Sequence, residues 1–124
     1  MTDVAEKTDI RALLPDCVAG DQFAIERLVR QFEKGVFRLA LSVVDDPMEA
    51  AEIAQETFLS ALKSLPSYQE KSSFKAWLFT IALNISRSRL RKRKALERLR
   101  AVLTGAFQLD ARKTVSPEEA VIQD

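Results

Sequence analysis

At 124 residues the chain has room for one domain, or for one domain and a tail. Apolar residues make up 47%, too many for a disordered chain, and only three Gly, four Pro and no strand-like alternation point to an all-α protein. The single cysteine, Cys17, excludes an internal disulfide, and the absence of histidine excludes ordinary zinc sites and histidine-based acid–base catalysis.

The net charge of +1 conceals a steep gradient. Residues 1–83 hold nine basic and thirteen acidic side chains, residues 84–100 eight basic and one acidic, and residues 101–124 two basic and four acidic. Such asymmetry suits two partners of different character. No signal-peptide pattern is present, and every apolar run is far short of the ~20 residues that span a membrane, so the expected location is the cytoplasm.

Residues 1–8 are polar and expected to fray. Asp9 to Val18 carries Ile10, Leu13, Leu14, Cys17 and Val18, a short amphipathic helix interrupted or kinked near Pro15. Gly20 ends it and Asp21 can cap the next helix, which runs to about Val44. There Ala24, Ile25, Leu28, Val29, Phe32, Val36, Leu39, Ala40 and Val43 form one buried face, with Gly35 a weak point. Asp45-Asp46-Pro47 is a stop and restart, with Asp46 as cap and Pro47 at the first helical position. The third helix, to about Ser64, buries Ala50, Ile53, Ala54, Thr57, Phe58, Ala61 and Leu62. Its other side carries Glu49, Glu52 and Glu56 beside Gln55. That acidic stripe is either a solvated face or a dock for a basic helix, since acids without interleaved lysines repel one another.

Leu65 to Lys71 is a loop with a proline breaker, and Ser72 or Ser73 can cap the helix that follows. In that helix Phe74, Trp77, Leu78, Ile81, Ala82 and Ile85 form one apolar stripe. Phe79, Leu83 and Leu90 form another, so the helix should be sandwiched between neighbours. Thr80, Asn84, Arg87 and Arg91 line a polar strip that could face a ligand. Arg87, Arg89, Arg91, Lys92, Arg93 and Lys94 then place six cations in eight residues. Like charges destabilise a helix, whereas phosphate binding explains such density; an unstructured basic tail is the plainer alternative. Tyr68, Phe74 and Trp77 lie near the preceding loop, as core residues or as rings on which an unpaired base stacks, with Tyr68 the freer of the three. Helical periodicity continues through Leu96, Leu99, Val102 and Leu103 and is expected to break at Gly105, with a linker to Ser116. Ser116-Pro117-Glu118-Glu119-Ala120 reads as the start of a further helix, which suggests that a domain is missing beyond it.

These blocks resemble a family. Gly20-Asp21 before the long helix, Asp46-Pro47-Met48-Glu49-Ala50-Ala51-Glu52-Ile53-Ala54-Gln55-Glu56-Thr57-Phe58, Phe74-Lys75-Ala76-Trp77-Leu78-Phe79-Thr80-Ile81-Ala82-Leu83-Asn84 and Leu90-Arg91-Lys92-Arg93 are similar to region two of bacterial sigma factors of the extracytoplasmic-function class. Two positions depart from it: Ala51 stands where the family usually has an acid, and Ser88 where it often has Asp. The resemblance implies that Glu49, Glu52, Gln55 and Glu56 dock on the clamp helices of the polymerase beta-prime subunit. It implies that Asn84, Arg87, Ser88 and Arg91 read and melt the promoter minus-ten element; Thr80 of the polar strip and Lys92 of the basic run join them as DNA-binding candidates. It also implies that the loop of Tyr68, Gln69, Glu70, Lys71, Ser72 and Ser73 captures a base flipped from the non-template strand.

The expectation is therefore an all-α bundle of about four helices over residues 9–96, followed by a helical extension or linker over 97–124. It would bind core RNA polymerase and melt promoter DNA, without cofactor, metal or catalytic activity, and an anti-sigma factor could mask it. The alternative is a general nucleic-acid-binding or protein-interaction module with no polymerase partner.

Overall fold

The computed structural model describes residues 10–69 and 73–114, with side chains omitted at 107 and 109–114. Among the described residues four helices follow one another: α1 Ile10–Val18, α2 Gln22–Val44, α3 Pro47–Ser64 and α4 Phe74–Thr114, with a 3-10 turn Leu65–Ser67 after α3. No strand occurs among the described residues. The chain divides into two compact units, with the boundary between Leu90 and Arg91 inside α4.

Several helix ends have a local chemical reason. Gly20 takes φ +88°, its N–H bonds Cys17 O at 3.1 Å and the Asp21 N–H reaches Asp16 O at 3.0 Å, which satisfies the last carbonyls of α1. The Asp21 carboxylate accepts from the Phe23 N–H at 2.9 Å and starts α2. Asp45 closes α2 in the left-handed region at φ 53°, its N–H bonded to Leu41 O at 2.9 Å. Asp46 Oδ1 accepts from the N–H groups of Met48 at 3.0 Å and Glu49 at 3.5 Å, and Pro47 occupies the first turn of α3, as its missing donor allows. At α4 the cap is Ser73, whose Oγ accepts from the Ala76 N–H at 3.1 Å; Ser72, the other candidate, lies outside the described residues.

The first unit is built on two apolar clusters. In the larger, Leu28, Phe32 and Val36 of α2 meet Phe58 and Ala61 of α3 and Phe74, Leu78 and Ala82 of α4, with Cys17 of α1 at one end. The smaller joins Ala40 and Val44 to Ala50 and Ile53, covered by Phe37 and Ile85. The faces expected of α2 and α3 are the faces that are buried. Each large side chain fully withdrawn from water, Leu28, Ile53 and Leu78 among them, contributes about 1.5–3 kcal/mol before entropy is counted. Two buried hydroxyls stay on their own helices: Thr57 Oγ1 donates to Ile53 O at 2.7 Å and Ser86 Oγ to Ala82 O at 2.7 Å.

Two expectations need correction. Of the two readings at Pro15, an interruption or a kink, the interruption is overturned: α1 runs from Ile10 to Val18 through the proline. Nor does α4 break at Gly105; it continues to Thr114, so the stretch to Thr114 is helix rather than linker. A lone glycine costs a helix only about 1 kcal/mol relative to alanine, and no proline follows Gly105 before Thr114. Tyr68 packs against Phe74 and Trp77 and is half-buried, like Trp77, whereas Phe74 is buried.

Candidate functional site

The polar strip of α4 is displayed by the core beneath it. Phe74, Leu78 and Ala82 are buried on one side of the helix, which leaves Thr80, Asn84 and Arg87 exposed on the other. Thr80 donates its hydroxyl proton back to Ala76 O at 2.8 Å, so toward a ligand its oxygen can act only as an acceptor. Ser88 is half-buried. Arg91 and Lys92, both exposed, belong to the second unit, where Arg98 and Arg100 are also exposed.

Four aromatic rings cluster at the start of α4. Tyr68 lies 5.0 Å from Trp77 and 5.8 Å from Phe74, Phe74 lies 5.5 Å from Trp77, and Phe32 backs Phe74 at 5.6 Å. Phe74 is core, whereas Tyr68 and Trp77 are half-buried and keep part of their faces in water. Partly exposed, pre-ordered rings are a surface on which a base can stack at little entropic cost. Of the loop candidates, Gln69 and Ser73 are exposed, and Glu70, Lys71 and Ser72 lie outside the described residues.

The acidic stripe lies on α3. Glu52, Gln55 and Glu56 are exposed and Glu49 is half-buried. Arg89 of α4 reaches two of these acids, Nη1 at 2.7 Å from Glu52 Oε2 and Nη2 at 3.0 Å from Glu56 Oε2. The bond to Glu52, followed by that to Glu56, holds the guanidinium more firmly protonated, although partial burial opposes this. The sequence groups Arg89 with the phosphate-binding cations, but it lies three residues after Ser86 and seven after Ala82, on the buried side of α4. That spacing could have separated it from Arg87 and Arg91.

Beside the stripe, α2 and α3 enclose an apolar groove of about 910 Å³ lined in part by Phe37, Leu41, Ala51, Gln55, Leu59 and Leu62. Leu59 is 71% exposed at its edge. The signal for this groove was a leucine that falls off the buried face of α3, one turn after Gln55. Within the first unit, the acidic stripe of α3 and the strip of Thr80, Asn84 and Arg87 on α4 thus sit on different helices, and Arg89 of α4 contacts the stripe.

The family described as Sigma-70 region 2 matches residues 28–96. The chain is 32% identical over 108 residues to the ECF RNA polymerase sigma factor SigW of Bacillus subtilis (strain 168), covering 83% of this chain and 58% of that protein. It is 34% identical over 71 residues to the RNA polymerase sigma-H factor of Pseudomonas aeruginosa, covering 57% of this chain and 37% of that one. The chain thus spans less than two thirds of the length of each of these curated relatives. Among solved structures, an engineered region 2 of sigmaE in complex with GTAAAA aligns with TM-score 0.61 at 28% identity, over 67% of this chain and 86% of that one. CnrH in complex with the cytosolic domain of CnrY aligns with TM-score 0.59 at 26% identity, over 89% of this chain and 68% of that one.

Proposed function

The chain belongs to the Sigma-70 region 2 family, and on that premise we propose that it docks on core RNA polymerase and recognises the melted promoter minus-ten element. The observation that carries this reading is α4 itself. One helix, anchored by Phe74, Leu78 and Ala82, presents Thr80, Asn84 and Arg87 to solvent and carries the partly exposed Tyr68–Trp77 pair at its start.

The division of labour follows from the chemistry. Arg87, Arg91 and Lys92 hold the backbone of a single strand by neutralising phosphates. Thr80, Asn84 and Ser88 supply short polar groups for base edges. Tyr68 and Trp77, with the loop Gln69 to Ser73, receive a base extruded from the non-template strand. Binding only the unpaired form shifts the duplex toward melting, so no nucleotide hydrolysis is required. The similarity to a region 2 solved in complex with GTAAAA supports a nucleic-acid partner.

Glu49, Glu52, Gln55 and Glu56 form the polymerase side, where the beta-prime clamp helices would supply basic residues and the adjoining groove would take an apolar side chain. The similarity to CnrH, solved with the cytosolic domain of CnrY, supports a masking anti-sigma protein as a further partner. No described helix is long and apolar enough to cross a membrane; with a polymerase partner, the working location is the cytoplasm.

Competition binding tests the reading. A labelled single strand bearing the cognate minus-ten sequence is expected to resist displacement by scrambled strands, and the chain is expected to bind core polymerase. Equal displacement by both strands, with no polymerase binding, would establish a general nucleic-acid module instead.

A further inference from the structure

We propose that Arg89 is a positioning residue that competes, from within the chain, for the acidic surface on which the polymerase docks. The inference rests on the docking role given to Glu52 and Glu56. Its basis is the contact itself: a two-pronged guanidinium spans 37 and 33 positions of sequence to reach Glu52 at 2.7 Å and Glu56 at 3.0 Å. The two glutamates are neighbours one turn apart on α3 and would repel each other. Arg89 relieves that repulsion and leaves the three groups with one net negative charge instead of two.

A cationic side chain from a partner would have to approach the same carboxylates. They are accessible to it, being 61% and 52% exposed, whereas Arg89 is 31% exposed and comes from beneath, on the buried side of α4. The incoming cation either displaces Arg89 or shares the glutamates with a like charge in close range. Either route weakens docking relative to a free acidic pair, because only the uncompensated fraction binds at full strength. The same contact removes Arg89 from the phosphate-binding set.

The test titrates the full chain with core RNA polymerase at low and high salt. Arg89→Gln is expected to tighten docking about threefold at low salt, and less at high salt, as suits an exposed ion pair. Arg89→Lys, which keeps the charge and loses the fork, should fall between. Glu52→Gln with Glu56→Gln should weaken docking, and adding Arg89→Gln to that pair should then tighten nothing. A purely structural Arg89 would act in the opposite direction, its loss weakening docking together with the melting temperature.

The failures are distinguishable. If the glutamate variants weaken docking but Arg89→Gln, folded by circular dichroism, fails to tighten it, the competition is overturned and the docking surface stands. If the glutamate variants bind like the wild type, the docking surface itself is misplaced and the proposal falls with it.

Discussion

Gly35 of α2 and Phe79 of α4 meet so closely that a Cβ on the glycine would stand 2.8 Å from the ring Cζ of Phe79. The glycine is a contact point between two helices, paid for in helix propensity. Gly35→Ala would recover about 1 kcal/mol of that propensity, but overpacking a fitted interface costs about 1–3 kcal/mol. A net loss is expected, lowering the melting temperature by several degrees. Phe79→Leu in the Gly35→Ala background should restore part of it, and a Gly35→Ala chain that melts higher than wild type would show that the ring moves freely.

The glycine also marks how far the sequence carries. Periodicity located the buried faces of α2 and α3 because each helix has one contiguous apolar stripe, and the caps at Asp21 and Asp46 were legible because they are local. Gly35 looked like a defect because the residue that explains it lies 44 positions away. Arg89 was counted with its neighbours for the same reason: its partners are 37 and 33 residues distant, and charge density along the chain does not record azimuth. The polar strip was legible, since Thr80, Asn84 and Arg87 follow helical spacing and are exposed. The packing of Tyr68 was not, because a loop residue has no period from which to infer its neighbours.

Trp77, the single tryptophan, lies 5.0 Å from Tyr68 and is half-buried, so its emission should report on the proposed base-capture face. Saturation with a cognate minus-ten single strand is expected to shift or quench it. Tyr68→Ala should weaken that strand by about 1–3 kcal/mol, the range for losing one base–aromatic stack, whereas Tyr68→Phe should nearly preserve binding. Unchanged emission at full occupancy would place the strand elsewhere.

Cys17 gives a pH prediction with a definite sign. Burial, helped by Asp16 and Asp21, raises its thiol above the ordinary value of 9.0. The folded chain therefore holds this proton more tightly than the unfolded one. The stability so gained is fully present below pH 9.0 and is lost as pH rises through 9.0 toward the raised folded value. Denaturant midpoints measured from neutral to alkaline pH should fall more steeply for wild type than for Cys17→Ala. Parallel curves would mean that the thiol is not held differently in the two states. Alkylation of the native chain at neutral pH should be slow for the same reason.

Salt dependence separates the cations of α4 by what they touch. Each single-strand phosphate neutralised contributes about 0.7 to the slope of log affinity against log salt concentration. Arg87→Gln with Arg91→Gln, both exposed, should therefore weaken binding and reduce the slope by about 1.4. Arg89→Gln should leave the slope unchanged, because its guanidinium already rests on Glu52 and Glu56. A slope that drops equally for Arg89 would mean that the pair opens and its cation joins the strand. An unchanged slope for the Arg87 and Arg91 variant would move the backbone contacts away from this strip, leaving Thr80 and Asn84 without the anchor that makes them a reading edge.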